Sequence, residues 1–180
     1  MNRVFYINYK KRNRMKKITL FLVFIGMMAL QSCEVTEVYD DVDSGPRNEV
    51  FEVTTSFNSN NNYSRLVVFD PPIYSSDSVL VYHLYDVVNG QDVWKLMPQT
   101  YYFNDGGALD FNFDYSRFNV NIYLSANFNL NTLPASWTQD QTFRIVVIPD
   151  GFAKTINKNN IDSVMSALKV DMSGVKKINL

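Results

Sequence analysis

The feature that most constrains the fold is a strict alternation of polar and apolar residues in the stretch ALDFNFDY, residues 108–115. The apolar set is Leu109, Phe111, Phe113 and Tyr115, and the polar set is Asp110, Asn112 and Asp114. Successive side chains of a β-strand point to opposite faces, so this pattern predicts a strand with one buried and one wet face. The stretch FNVNIYLSAN repeats the pattern, with Val120, Ile122 and Leu124 predicted to point inward.

Turn signals separate further strand-like stretches along the chain. Asn89-Gly90 is a strong two-residue hairpin signal between DSVLVYHLYDVV and QDVWKLM. Asn104-Asp105-Gly106-Gly107 separates TYYF from ALDFNFDY in the same way. With EVFEVTTSF, YSRLVVFD and TFRIVVIPD added, the spacing predicts a sandwich or an open barrel. Of the two, we expect an antiparallel β-sandwich of about seven or eight strands.

One α-helix is predicted near the C-terminus, and it has a surface to cover. The segments 79–85 and 145–148 are apolar on both strand faces, so something must pack on the second face. Asn160 is a suitable N-cap, and Ile161, Val164, Met165 and Leu168 follow at helical spacing. We therefore expect a mainly β fold, a sandwich with one C-terminal α-helix, and VKKINL as a final edge strand.

The first 32 residues read as a secretory signal peptide. Seven basic residues and no acidic one precede a run of thirteen uncharged residues, Ile18 to Leu30. As a helix this run would span about 20 Å, short of the roughly 30 Å hydrocarbon core of a bilayer. A basic segment, a short apolar segment and then small residues are typical of a signal peptide. Met15-Lys16-Lys17 is by itself a normal beginning, so we expect the natural start at Met15.

The signal ends in Leu30-Gln31-Ser32-Cys33, which resembles the lipobox of bacterial lipoproteins. The resemblance implies that diacylglycerol is attached to the Cys33 thiol, that cleavage precedes Cys33, and that a fatty acid such as palmitate acylates the new amino group. The alternative is a buried free cysteine that happens to follow an apolar run.

Residues 33–48 are expected to be the lipidated cysteine and an acidic tether, and residues 49–180 the β-sandwich domain. Charged linkers repel themselves and extend. Glu34, in place of an inner-membrane retention aspartate, favours the outer membrane. The acidic stretch also resembles a surface-export signal of Bacteroidota-type bacteria, which would expose the domain outside the cell. The alternative is an ordinary acidic linker in the periplasm.

Cleavage would change the charge and the chemistry of the chain. It removes seven of the 17 basic residues and none of the 18 acidic ones, leaving ten against 18, a net charge of −8. Such a surface argues against nucleic acid as a partner. With the sole cysteine acylated, the domain has no disulfide, thiolate metal site or cysteine nucleophile.

The remaining polar residues predict no catalytic, metal or cofactor site. His83 is the only histidine, in phase with Val81 and Tyr85 on a strand, so a structural role is expected. Asp110 and Asp114 stand about 13 Å apart along one strand, too far for a glycosidase pair, although either could pair across strands. Asn104–Gly107 lacks the spacing of an EF-hand loop and is expected to be a tight turn.

Aromatic residues are the one feature that suggests a ligand. Tyr101, Tyr102 and Phe103 are consecutive, so a strand must place them on both faces, and the two tryptophans are Trp94 and Trp137. A β core uses aromatics heavily, and that is the expected role. Exposed Tyr or Trp would instead suit sugar stacking or a protein interface.

The blocks VWKLMPQTYYFNDGGALDFNFDY, VNIYLSANFNL and WTQDQTFRIVVIPDGF resemble a group of small uncharacterised lipoproteins of Bacteroidota. Some of that group carry collagen-like Gly-Pro repeats after the lipidated cysteine, where this chain has only Ser44-Gly45-Pro46-Arg47. The resemblance covers about residues 45–180 and implies no activity. We therefore expect a non-catalytic, membrane-anchored binding domain whose ligand is a protein, a glycan or a second copy of the domain. The alternatives are a purely structural envelope lipoprotein, or a hydrolase that uses cross-strand carboxylates.

Overall fold

The computed structural model describes residues 48–149, 151–152 and 156–178, and the fold there is mainly β, as predicted. These ranges contain nine strands, one or two more than expected, and two α-helices. The strands are β1 Val50–Thr55, β2 Ser64–Val68, β3 Ser78–Val88, β4 Gln91–Leu96, β5 Gln99–Tyr102, β6 Ala108–Tyr115, β7 Asn119–Ala126, β8 Gln141–Ile148 and β9 Val175–Ile178; the helices are α1 Ala135–Thr138 and α2 Ile161–Leu168.

The strands form two sheets, one of five strands in the order β4-β3-β8-β1-β9 and one of four in the order β2-β7-β6-β5. The predicted final edge strand is present as β9, but it runs parallel to β1, so the sandwich is not purely antiparallel. Parallel neighbours need a long connection, and β1 and β9 come from opposite ends of the domain. Periodicity within a strand carries no information about this direction.

The main core lies between the two sheets and is built from the inward residues that the alternation identifies. Leu109 and Phe111 of β6 are fully buried, as are Val120 and Ile122 of β7. Aromatic rings pack across this core: Phe111 of the four-stranded sheet contacts Phe143 of the five-stranded sheet at 6.3 Å with ring planes tilted by 38°, and it contacts Phe57, just after β1, edge to face. The alternation weakens at the end of β6, where Tyr115 is exposed.

Helix α2 covers the second face of the five-stranded sheet, as predicted. The Asn160 side chain accepts a hydrogen bond from the Ser163 N–H at 3.0 Å, which confirms the N-cap. The buried face of the helix packs on the sheet through Ile161, Val164, Met165 and Leu168, against Val50, Leu80, Tyr82, Val146 and Ile148. Each such buried side chain contributes about 2 kcal/mol. The Tyr82 hydroxyl donates to the Lys158 carbonyl at 2.7 Å.

The same face of the sheet also carries an ion pair between β8 and β1. Arg144 Nη2 donates to Glu52 Oε2 at 2.6 Å. The guanidinium lies 4.2 Å from the ring centroid of Trp94 on β4.

Both predicted hairpin turns are also present. At the first turn, Asn89 and Gly90 have φ of 52° and 77°, the left-handed pair that such turns require.

Candidate functional site

A pocket of about 470 Å³ opens between two loop regions of the sandwich. One wall comes from the turn that joins β5 to β6, and the other from residues 128–137, between β7 and β8. We call it the aromatic pocket, and its lining is Phe103, Asn104, Asp105, Phe128, Thr132, Leu133, Pro134 and Trp137. Its volume lies within the roughly 300–1,000 Å³ that small-ligand sites occupy.

The first wall is held by a tight turn, as the sequence predicted for Asn104–Gly107. The Phe103 N–H donates to the Gly107 carbonyl at 2.8 Å, and the Gly106 N–H donates to the Phe103 carbonyl at 3.1 Å. Asp105 Oδ1 accepts the Gly107 N–H at 3.0 Å. Gly106 has φ of 85°, a conformation that favours glycine. These bonds fix the backbone that presents Asn104 and Asp105 at the mouth of the pocket.

The second wall is an irregular segment stabilised by local hydrogen bonds. A 3-10 turn spans Leu130–Thr132, and the Asn129 side chain caps it by accepting the Asn131 N–H at 3.0 Å. Pro134 then precedes the single-turn helix α1. This helix carries Trp137, and the backbone N–H of Trp137 donates to the Pro134 carbonyl at 3.0 Å. The turn and the helix together place Trp137 opposite the β5–β6 turn.

Three aromatic rings meet at the wall of the pocket. Phe103 contacts Trp137 with centroids 5.7 Å apart and ring planes at 89°. It contacts Phe128 at 5.8 Å and 72°. All three side chains are half-buried, so part of each ring remains open to solvent. Edge-to-face contacts of this kind hold aromatic rings in place, so the wall is preorganised.

A second aromatic group continues from Trp137 towards β3 and β4. Tyr101 lies 4.8 Å from Trp137 and stacks on Tyr85 at 5.7 Å with nearly parallel planes. Lys95 Nζ lies 3.2 Å from the Tyr85 ring centroid, a cation–π contact. The Tyr101 hydroxyl is buried and has no hydrogen-bond partner within the described part of the chain. Burial, reinforced by the neighbouring Tyr85, raises the pKa of Tyr101 to about 12, so the phenol stays protonated.

The mouth of the pocket is polar and carries a negative charge. Among the described residues that line it, Asp105 alone is charged, and no lysine or arginine is present. Asn104 and Asp105 are exposed. The Thr132 hydroxyl donates to the Asn129 carbonyl at 2.8 Å. The arrangement therefore offers an apolar wall with hydrogen-bonding groups at its rim, and it disfavours anions.

His83 does not line the pocket but is buried in the core. Its ring lies nearly parallel to those of Phe111 and Phe143, with centroid distances of 4.5 and 5.0 Å. Its Nε2 lies 2.9 Å from Gln141 Oε1, and its Nδ1 has no partner in the ranges that the structure covers. Burial is the main cause that lowers the pKa of His83, and the nearby Lys95 adds to it. This is the environment of a neutral, structural histidine.

The carboxylates of β6 face polar side chains across the sheet. Asp110 accepts the Thr100 hydroxyl at 2.6 Å and the Ser125 hydroxyl at 3.4 Å. Asp114 stands opposite Asn121. In register, neither faces a second carboxylate, so the pairing that a hydrolase would need is not formed by these strand neighbours. Within the described ranges, no three His, Cys, Asp or Glu side chains gather closely enough to hold a metal ion.

The predicted anchor lies outside the described residues. Cys33, the predicted signal peptide of residues 1–32 and most of the predicted acidic tether belong to the segment 1–47, of which the structure describes nothing. In the part of the chain that is described, no helix combines the length and the apolar character needed to cross a membrane.

The sequence pointed to part of the pocket and missed the rest. The consecutive aromatics divide as expected: Tyr101 and Phe103 are half-buried, and Tyr102 is 82% exposed. Trp137 was expected in the core; it packs against the core beside Phe111, and it also lines the pocket. The other wall residues, Phe128 and Leu133 among them, were not identified. The available signal is the segment NFNLNTLPASW, in which the period of two that runs from Asn127 to Asn131 breaks down before Leu133, Pro134 and Trp137. Apolar residues without a strand period can cover the edge of a core only as an irregular segment.

Comparison with known proteins adds no relative: no protein-family model matches the chain, and neither curated proteins nor solved structures yield a match.

Proposed function

We propose that this protein is a lipid-anchored domain of the bacterial outer membrane that binds a ligand in the aromatic pocket without transforming it. The observation that carries the proposal is the pocket itself, with three partly open aromatic rings on its wall and the polar side chains of Asn104 and Asp105 at its mouth. A concave, largely apolar site with a few polar groups is the usual form of a small-ligand site.

The anchor follows from the sequence at the front of the chain. A basic segment, a short apolar run and the lipobox-like LQSC all direct lipid to Cys33. Several acyl chains hold a protein on a membrane far more firmly than one, since each buried methylene adds about 0.8 kcal/mol. The acidic tether and the resemblance to Bacteroidota lipoproteins favour exposure of the domain at the cell surface.

Metabolic labelling with a clickable palmitate analogue tests the anchor. The wild-type chain should take up the label and fractionate with the membrane, and Cys33→Ala should lose the label. Protease treatment of intact cells then separates the two locations: cleavage before lysis means exposure at the surface, and cleavage only after lysis means the periplasm. A Cys33→Ala chain that remains labelled would refute the lipobox assignment.

A binding screen tests the pocket. Ligand-observed NMR on the full protein would use a fixed panel of neutral saccharides, amino acids, nucleosides and ammonium compounds. We expect a member that binds saturably, loses affinity in Trp137→Ala and keeps it in Tyr102→Ala, a matched change at an exposed ring outside the pocket lining. A panel without saturable binding, or equal loss in both variants, contradicts the proposed site.

A further inference from the structure

We infer that the ligand of the aromatic pocket is a neutral glycan, held with the flat face of one pyranose ring against Trp137 and its hydroxyls at the rim. The inference rests on the proposed binding function and names the class of ligand. It follows from three properties of the site: the apolar wall, the polar mouth and the lack of basic side chains in the described lining.

The wall matches one face of a sugar. A pyranose in the chair form presents axial C–H groups on a flat face, and these carry small positive partial charges. The face of an aromatic ring is negative and its edge positive, so a C–H face and an indole face attract each other. Trp137 is half-buried and braced by Phe103 at 5.7 Å and Tyr101 at 4.8 Å, so the indole is held before any ligand arrives. Little side-chain freedom would then be lost on binding.

The mouth matches the rim of a sugar. Equatorial hydroxyls surround a pyranose ring, and each is both a donor and an acceptor. The Asn104 amide offers both roles, and the Asp105 carboxylate accepts hydroxyl donors strongly because it is ionised. Asp105 is positioned by the Gly107 N–H, which its Oδ1 accepts at 3.0 Å. The polar groups therefore stand beside the aromatic wall, where a ring stacked on that wall places its hydroxyls.

The lack of basic side chains favours a neutral sugar. The described lining has no lysine or arginine to neutralise a uronate, a sialate or a phosphate, so each of these anions would lose water against the apolar wall without gaining a charged partner. An organic cation is the competing class, because aromatic rings also bind ammonium groups. However, the Asp105 carboxylate is exposed, so water and salt screen it and it adds little to the binding of a cation.

The test compares matched probes on one protein. The full protein is purified in a polyoxyethylene detergent, which has neither sugar nor ammonium groups, and carries Trp94→Phe so that its fluorescence reports Trp137. The probes are the methyl pyranosides of glucose, galactose, mannose and N-acetylglucosamine and their β-linked disaccharides. The controls are glucitol, which has hydroxyls but no flat face, methyl glucuronide, which is an anion, and choline, which is a cation.

We expect at least one pyranoside or disaccharide to change the Trp137 emission saturably, with an affinity that does not depend on the salt concentration. The three controls should leave the emission unchanged. Saturation-transfer NMR should show stronger transfer to the axial protons of one ring face than to those of the other. By NMR, Trp137→Ala should weaken binding about tenfold. Asp105→Asn, which keeps the acceptor for Gly107, should weaken it about fivefold, and Tyr102→Ala should leave it unchanged.

Two failures have different meanings. If choline binds and the pyranosides do not, the pocket is a binding site and the inferred ligand class is wrong. If no probe binds, the inferred ligand class is wrong, and the amino acids and nucleosides of the wider panel then decide whether the proposed function fails as well. Sugar binding that survives Trp137→Ala would overturn the stacking geometry.

Discussion

The ion pair between Arg144 and Glu52 allows a quantitative test of the fold. The Arg144 side chain is 6% exposed and that of Glu52 is 17% exposed, with 2.6 Å between the paired atoms. Glu52→Gln leaves the guanidinium buried against a neutral amide. Loss of one member of a buried pair costs 3–5 kcal/mol in general; because Glu52 is partly open to water, we expect about 3 kcal/mol. For a domain of this size that corresponds to roughly 10 °C in the unfolding temperature.

Glu49→Gln is the matched control, since Glu49 has the same 17% side-chain exposure but pairs at 2.8 Å with Lys176, which is 56% exposed. An exposed pair contributes about 0.5 kcal/mol, so this variant should stay close to the wild type. Urea unfolding of the full chain measures both changes, provided that the slope against urea is unchanged.

A double replacement separates burial from pairing. Glu52→Leu together with Arg144→Met removes both charges and retains apolar volume beside Trp94. Replacement of a whole buried pair by apolar residues is often neutral, so this variant should lie within about 1 kcal/mol of the wild type. A similar loss in Glu52→Gln and Glu49→Gln, or a loss below about 1 kcal/mol in the former, would refute the reasoning.

Three further predictions follow from single contacts. Burial lowers the pKa of His83 below its ordinary 6.5, so as the pH falls the unfolded chain binds the proton at a higher pH than the folded chain does. The free energy of unfolding should therefore fall as the pH drops below 6.5. Urea unfolding between pH 7.5 and 5 should show this fall in the wild type and a smaller one in His83→Gln. Tyr101→Phe removes a buried hydroxyl without a partner in the described structure and should raise the free energy of unfolding by about 1 kcal/mol. Tyr82→Phe instead loses a hydrogen bond and should lower the free energy of unfolding by a similar amount. Changes of the same sign in the two variants would contradict this reasoning. In Gly107→Ala the new Cβ would lie 3.2 and 3.3 Å from two rings of the pocket wall, whereas in Gly106→Ala it meets open space at a φ of +85°. Both should lose about 1 kcal/mol, but only Gly107→Ala should alter the Trp137 emission, and an equal spectral change in both would argue against the packing described here.

Alternation of polar and apolar residues identified most of the strands, because each strand has one face in the core. It placed Leu109, Phe111, Val120 and Ile122 inward, and all four are fully buried. The helix was also predictable, since its N-cap Asn160 and its apolar spacing are local signals. Local signals do not encode which strands become neighbours, and for that reason the parallel pairing of β9 with β1 was not expected.

The pocket was less predictable because it joins segments that are distant in sequence. Phe103 and Trp137 are 34 positions apart, and their contact depends on how α1 folds back over the β5–β6 turn. The amino-acid composition predicted that these aromatic residues lie in the core, and in the structure both side chains are half-buried. What the sequence could not show is that the covering segment leaves a gap beside them.

The position of β1 has a mechanical consequence. It is the first strand after the acidic segment, and it is interior to its sheet, with a six-residue register to β8 on one side and a four-residue register to β9 on the other. A pulling force applied at Asn48 and directed along β1 would shear the hydrogen bonds of β1 to β8 and of β1 to β9. These bonds would then have to break together rather than one at a time. Resistance to force is set by the rate of unfolding, and single-molecule pulling from residue 48 should require more force than peeling the edge strand β4 from its hairpin. A domain held to a cell by its N-terminus would thus meet drag from a captured polymer with a strand that is paired on both sides.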